Sequence, residues 1–430
     1  MQNKRPVMGI ALLAAFVLMG CAQKYDDEKD FEFEPIEGGD TVKITGYVGA
    51  KQEIRIPPKI NKKSVTGIGE EAFAEKQLSG AVIPHGVTVI EDRAFVKNQL
   101  SGVAIPDSVT SIGERAFAEN QLTTVTIPHN VTTVGKEAFT DNQLNHVVIG
   151  NNVTAIKEKT FSGNQLTGVT IGNSVTDIGA DAFADNQLTN VVIPNKVTTI
   201  GERAFSGNQL ASVTIGGSVT TIEGRAFEKN QLINVVIPDS VTTIRARAFA
   251  NNQLASVTIG AKVTTIGNEA FSNNKLTDVV IPNSVISIGE DAFGNNQLTG
   301  ATIGNGVTAI RFASFAHNKL TSVSIGNSVA DIEEEAFTEN QLTEVVIPDS
   351  VTNIGDYAFS HNKLSSVTIG SGVTTIRYAA FADNQLTSIT IGAGVQVWTS
   401  AFDNGFANFY IAQGSKAGTY AYSDNQWSLE

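Results

Sequence analysis

A single cysteine, Cys21, in 430 residues rules out an internal disulfide, so the fold has to be held by packing. Charge is sparse at 17% of residues and leans acidic: 43 Asp and Glu against 30 Lys and Arg leave a formal net charge of −13. That balance argues against a general binder of nucleic acid or of anionic membranes. The apolar run at residues 7–19 is too short to span a bilayer. Histidine is also rare, with five in the chain, which leaves little material for metal or acid–base chemistry. What is plentiful is aliphatic and small: 41% of residues are hydrophobic and 39 are Gly.

Lys4 and Arg5 precede the apolar run, the order of a secretory n-region and h-region. The run ends in "LMGC", residues 18–21, which resembles the lipobox of bacterial lipoproteins, with Leu18 at −3, Gly20 at −1 and Cys21 at the cleavage site. Residues 1–20 are therefore expected to be a lipoprotein signal peptide and Cys21 the lipidated residue. Each buried acyl CH₂ adds roughly 0.8 kcal/mol, so a multiply acylated N-terminus holds a protein on a membrane without a transmembrane helix. Residues 21–40 are acidic and poor in large aliphatics, the composition of an extended tether.

From residue 73 to residue 381, Phe recurs every 22 residues. Leu78 to Leu386, Ile83 to Ile391 and Val87 to Val395 keep the same phase, as do Ile68 to Ile376 with Val134 as one substitute. Fifteen in-phase copies leave no room for a mixed-topology domain. Within a copy, Leu122, Val125 and Ile127 follow L-x-x-V-x-I, which puts Val and Ile on one face of a short strand. Such strands have to pair with their neighbours in parallel at about 4.8 Å, so the stack is expected to run about 70 to 80 Å along its sheet. The fold class is thus a repeat solenoid, a right-handed leucine-rich-repeat superhelix with a parallel β-sheet. "GKEAF", residues 135–139, is expected to form a short helical or 3₁₀ turn.

Phe is expected to fill the interior as a stacked spine, and the Ala before it to mark close approach of coils. The Asn column from Asn98 to Asn384 is read as a buried ladder satisfying backbone groups at the bend. Residues 41–64 are expected to cap the N-terminal end and 65–394 to form the solenoid. Residues 395–430 form an aromatic C-terminal cap, with Trp398 in the Ile column and Phe406, Phe409, Tyr410, Tyr420, Tyr422 and Trp427 over the last coil.

The words "VTSIGERAF", "NQLTTVTIP" and "IPDSVTTI", with an opening "ITGYVG" and a closing "IAQGSKAGTYAYSDNQW", resemble the BspA-like, or Treponema-type, leucine-rich repeats over residues 41 to 425. The family Cys after A-F-x-x is Asn here. The resemblance implies a bacterial surface protein that binds host extracellular-matrix or cell-surface proteins, or other bacterial surface proteins. It carries function only by analogy.

Catalysis finds no support in the residues. His85 and His129 share one column and His317 and His361 another, so column mates stand about 10 Å apart, too far to share one metal. The acidic residues change from coil to coil, and no calcium-binding repeat emerges. No enzyme activity, metal or cofactor is expected. Two faces are candidates for binding. On the strands, Ser212, Thr214, Asn234, Val236, Ser256, Thr258, Asp278 and Val280 flank the core Val and alternate with a period of 44 residues. Unselected duplication of a two-coil unit explains the same pattern. In the turns, Arg203, Arg225 and Arg247 occupy equivalent places in successive coils and form a ladder for an acidic polymer. A solvated face balanced by Glu202, Glu223 and Glu228 is the plainer reading.

The sequence therefore points to an exported, adhesin-like bacterial lipoprotein on the outer membrane or cell surface, with no nucleic-acid partner and with a ligand-free surface spacer as the alternative. Mass spectrometry of the mature protein should find an acylated Cys21 at the N-terminus; an unmodified Cys21, or cleavage elsewhere, overturns the lipoprotein assignment.

Overall fold

The computed structural model describes residues 24–430; the signal peptide expected at 1–20 and the lipidation expected at Cys21 lie outside them. No helix among the described residues is long and apolar enough to cross a membrane. The chain divides between Ser174 and Val175 into two compact units, each a parallel-strand stack of 22-residue coils of the leucine-rich-repeat type.

One coil of the second unit shows how the sequence folds. Leu232, Val235 and Ile237 are buried, while Asn234 and Val236, on the opposite face of the strand Asn234–Val236, are exposed. Pro238 ends that strand because its ring nitrogen cannot donate, and its carbonyl accepts the Val241 N–H at 3.0 Å to close a turn. Thr243–Ile244 then forms a second short strand, paired in parallel with Thr221–Ile222 before it and Thr265–Ile266 after it. Each coil thus contributes to two ladders. In the first unit the same pattern joins Thr124–Thr126, His146–Val148 and Gly168–Thr170 in one ladder and Val89–Ile90, Ser111–Ile112 and Thr133–Val134 in the other.

The turn around Phe differs from the helical turn expected. Among the described residues the only helices are the 3₁₀ turn Glu28–Asp30 and the α-helix Phe406–Ala412. Around each repeat Phe, the residues two before and two after adopt left-handed backbone, as Arg225 (φ 58°) and Lys229 (φ 57°) do beside Phe227. Alternating hands aim every second N–H out of the coil. Arg225, Phe227 and Lys229 donate to the carbonyls of Ala246, Ala248 and Ala250 in the next coil at 2.9, 2.8 and 3.1 Å. A helix would direct those groups to its own preceding turn and leave the coils unjoined. Left-handed backbone costs a non-Gly residue about 1–2 kcal/mol, and the hydrogen bonds between coils offset that cost.

The Phe rings stack as expected. Centroids lie 4.9–5.6 Å apart from Phe73 to Phe161 in the first unit and 5.0–5.5 Å apart from Phe183 to Phe402 in the second, with planes within 13° of parallel. The Ala before each Phe is buried, and where the sequence has Thr160 or Ser314 the hydroxyl donates to Lys157 O at 2.9 Å or Arg311 O at 2.8 Å, so no polar group is stranded. The Asn column is the buried ladder expected. Asn252 donates to Phe227 O at 2.9 Å and Phe249 O at 3.1 Å, and its Oδ1 accepts the Leu232 N–H at 3.0 Å.

Two further expectations are corrected at the ends. The acidic segment expected as a tether at 21–40 is folded from Asp26 onward. Phe31–Pro35 pairs antiparallel with Thr41–Tyr47, and Phe31 and Tyr47 close over the open face of Phe73 at 6.3 and 5.9 Å. The buried Asp26 accepts the Arg55 N–H at 2.7 Å and pairs with Lys51. A first coil without a predecessor exposes its ring and strand edge, and this segment covers both. At the other end Trp398 leaves the Ile column. Val397 pairs with Ile376 instead, because this coil is one residue short, and Trp398 is 47% exposed. Phe406, Tyr410, Tyr420 and Trp427 are buried over Phe402 and seal the stack.

Phe227→Ala should lower the stability of its unit by about 3–5 kcal/mol, since it opens a cavity between Phe205 and Phe249; an unchanged denaturant midpoint would contradict a buried spine.

Candidate functional site

In the second unit the outward positions of the longer strands form a column. Val192, Val236, Val280 and Val346 are 64–66% exposed. The next coils place Thr214, Thr258, Thr302 and Thr368 directly beside them, in the register Val192↔Thr214, Val236↔Thr258, Val280↔Thr302 and Val346↔Thr368. The neighbouring outward column holds Asn190↔Ser212 and Asn234↔Ser256, with Ser256 Oγ donating to Asn234 Oδ1 at 2.6 Å, and then Asp278↔Gly300. The eight strand residues singled out from sequence therefore share one exposed face. Val192 and Val346 belong to it as well; the 44-residue period reaches Val192, whereas Val346 follows Val280 by three coils, with Ser324 standing where that period would place the next valine. Exposed β-branched residues suit a pleated surface, but apolar side chains this open, at every second coil from Val192 to Val280 and again at Val346, present a stripe that water solvates poorly.

The turn column is built differently. Arg203, Arg225 and Arg247 all sit at the left-handed position before Ala-Phe, and each is paired. Arg203 Nε lies 2.8 Å from Asp181, whose hydrogen bond raises the Arg203 pKa. Arg225 and Arg247 flank the buried Glu228 at 3.7 and 3.2 Å, and Arg247 also reaches Glu269 at 3.5 Å. Arg245 pairs with Glu223 at 2.9 Å, whereas no pair joins Glu202 to these arginines. The column is thus a run of ion pairs, and its partner acids Asp181 and Glu269 stand 22 residues before or after the arginines they neutralise. The same column carries Asp291, half-buried, whose Oδ2 accepts the Ser272 hydroxyl at 2.9 Å; burial raises its pKa above the usual carboxylate value. His317 and His361 pair with Glu339 and Asp383 at 2.9 and 3.3 Å. Among the described residues no group of three or more His, Cys, Asp or Glu is placed to hold a metal ion.

The description of a BspA type leucine-rich repeat region fits the chain in six copies, over residues 66–189, 176–299 and 286–408. Among solved structures, a leucine-rich repeat protein from Bacteroides ovatus ATCC 8483 is similar at 23% identity, covering 84% of this chain and 92% of that one with a TM-score of 0.63. A leucine rich cell surface protein from Faecalibacterium prausnitzii A2-165 matches at 25% identity over 88% of this chain and 95% of its own, with a TM-score of 0.44. The pneumococcal vaccine antigen PcpA matches at 19% identity, 87% and 89% coverage and a TM-score of 0.39. No curated protein is similar enough in sequence to count as a relative.

Asp291→Asn should stabilise the second unit at neutral pH. The native state favours protonated Asp291, so wild-type stability falls as pH rises from the ordinary Asp value of 3.8 through the raised folded pKa. The gain in melting temperature should be largest near pH 7 and shrink toward pH 4; a gain independent of pH would assign it to backbone preference at φ 51° instead.

Proposed function

Since the chain belongs to the BspA-type leucine-rich repeat family, we propose that it is a membrane-anchored bacterial surface protein that binds host or microbial proteins through the outward strand face of residues 175–430. Leucine-rich repeat proteins are typically scaffolds for protein binding and not catalysts. The observation that carries the reading is the column of exposed valines at 192, 236, 280 and 346, interleaved with threonine. A column of uncharged Val and Thr side chains, one per coil from Val192 to Thr302 and resuming at Val346 after Ser324, suits contact with an extended or repetitive partner, where weak contacts add along the coils. The paired arginines are a poorer candidate, because an acidic polymer would have to displace Asp181, Glu228 and Glu269 before gaining a guanidinium. Lipidation at Cys21 supplies the membrane anchor in this reading and places the chain at the outer membrane or cell surface.

Purified residues 24–430 should attach to host cells or immobilised matrix proteins in a saturable, competable manner. Replacing Val192, Val236, Val280 and Val346 together with Glu should reduce that attachment at least tenfold while leaving the melting temperature within a few degrees. Attachment that is not saturable would favour a surface spacer, and full attachment by the quadruple variant would move the site off the strand face.

A further inference from the structure

The asparagine ladder of the second unit stops one rung before its coils do. At the last complete rung, Asn384 Oδ1 accepts the Leu364 N–H at 2.9 Å, and its Nδ2 donates to Phe359 O at 2.9 Å and Phe381 O at 3.0 Å. The next rung would join an amide to Leu386 and Phe381 in the same way. Because Phe402 follows Phe381 by 21 residues, Gly405 and not Asn stands three residues after it. Asn404 bonds elsewhere. Its Nδ2 donates to Leu386 O at 2.9 Å, replacing the backbone N–H that serves this purpose one coil earlier, where Gln385 N donates to Leu364 O at 3.0 Å. The Trp427 indole holds Asn404 in place through its carbonyl at 3.2 Å.

Two backbone groups are thereby left different from their counterparts. The Leu386 N–H finds no acceptor among the described residues, although Leu386 is 5% exposed. The Phe381 carbonyl accepts from Asn384 alone, whereas Phe359 O accepts from both Asn362 and Asn384. A cavity of about 210 Å³ opens at this point, lined by Phe381, Asn384, Leu386, Phe402, Asn404 and Tyr422 among others. We propose that this cavity binds the side-chain carboxamide of an asparagine or glutamine from another polypeptide, which completes the ladder from outside. The carboxamide oxygen accepts from Leu386 N, its NH₂ donates to Phe381 O, and the aliphatic stem packs between the rings of Phe402 and Tyr422.

The chemistry is selective. A primary amide carries an N–H on the same side as its oxygen and meets both groups at once. A trans secondary amide points its oxygen and N–H in opposite directions, and a carboxylate has nothing to donate to Phe381. The site is separate from the exposed valine column, and the small probes below carry nothing that column would recognise, so the two readings fail independently.

The test is an NMR titration of the full chain with leucine labelled with ¹⁵N, the Leu386 signal being identified by its loss in Leu386→Ile. Acetamide and acetyl-asparagine N-methylamide should shift that signal saturably. N-methylacetamide, acetate and acetyl-alanine N-methylamide should bind at least tenfold more weakly. A Leu386 signal that no primary amide moves, or that acetate or N-methylacetamide moves equally, overturns the proposal. Should Leu386→Ile not fold, crystals soaked in acetamide give the same answer: an amide within hydrogen-bonding distance of both Leu386 N and Phe381 O supports the site, and water alone there overturns it.

Discussion

From Phe95 to Phe381 each coil depends on one side chain, the asparagine three residues after Phe. At the sharpest bend the backbone can neither continue a strand nor start a helix, and its groups face an interior without water. Burying a peptide group unpaired costs about 1–3 kcal/mol, and a bend repeated in every coil would multiply that cost. Asn230 shows the remedy: one amide takes Phe205 O at 2.9 Å, Phe227 O at 3.2 Å and the Leu210 N–H at 3.0 Å. Asp in its place would lose the donors, and Gln would place the same head one methylene too far.

The other regularities follow from that fixed point. With the bend held, the residues on either side of Phe can take left-handed backbone and send their N–H groups into the next coil, so the turn becomes a third hydrogen-bonded seam beside the two strand ladders. Coils held at strand spacing bring successive Phe rings into near-parallel contact with centroids 4.9–5.6 Å apart, which fits an offset stack, one of the two arrangements aromatic pairs favour. A small residue before Phe is then required by space, and Thr160 and Ser314 are tolerated because a carbonyl three residues back takes the hydroxyl.

The same constraints decide which parts of the structure are legible in the sequence. The period of 22 residues, the buried columns and the outward strand positions all follow from side-chain type at fixed spacing, so Phe227, Asn252 and Val236 can be placed from the sequence alone. Backbone hand cannot be read, because the left-handed positions hold Arg, Glu, Asp, Lys, Tyr and Ala alike; the inter-coil hydrogen bonds impose that conformation and not the residue's own preference. The Phe31–Pro35 strand is hidden by its acidic residues, although Phe31 and Phe33 two apart carry a strand signal. Counting forward in steps of 22 misplaces Trp398, because it runs through a coil that is one residue short; the 21-residue step from Phe381 to Phe402 signals the slip, and the pairing of Val397 with Ile376 shows where it falls. Of the candidate sites, the strand face is legible because it obeys the period. The balance of the turn arginines by Glu223 and Glu228 is legible too, whereas the pairing of Arg203 with Asp181 and of Arg247 with Glu269 is not, since it rests on acids at the same position of adjacent coils.

A repeat that satisfies itself internally is also a repeat that has little to offer a partner except where it varies or ends. Along the second unit, two columns vary without disturbing a single rung: the outward strand positions, mostly Val, Thr, Ser and Asn, and the turn position two before Phe, which holds Arg, Asp, Glu, Ala and Tyr. Ending is a different kind of opportunity. The N-terminal end is closed by Phe31, Tyr47 and the paired Asp26, which replace what a preceding coil would supply. At the C-terminal end the aromatic cap replaces the Phe spine and the final antiparallel strands replace the strand ladder, through the register Ser388↔Ala421 to Ile391↔Gly418. The cap does not replace the amide rung. What it leaves is the Leu386 N–H without an acceptor among the described residues, beside the half-used Phe381 carbonyl at the mouth of a cavity.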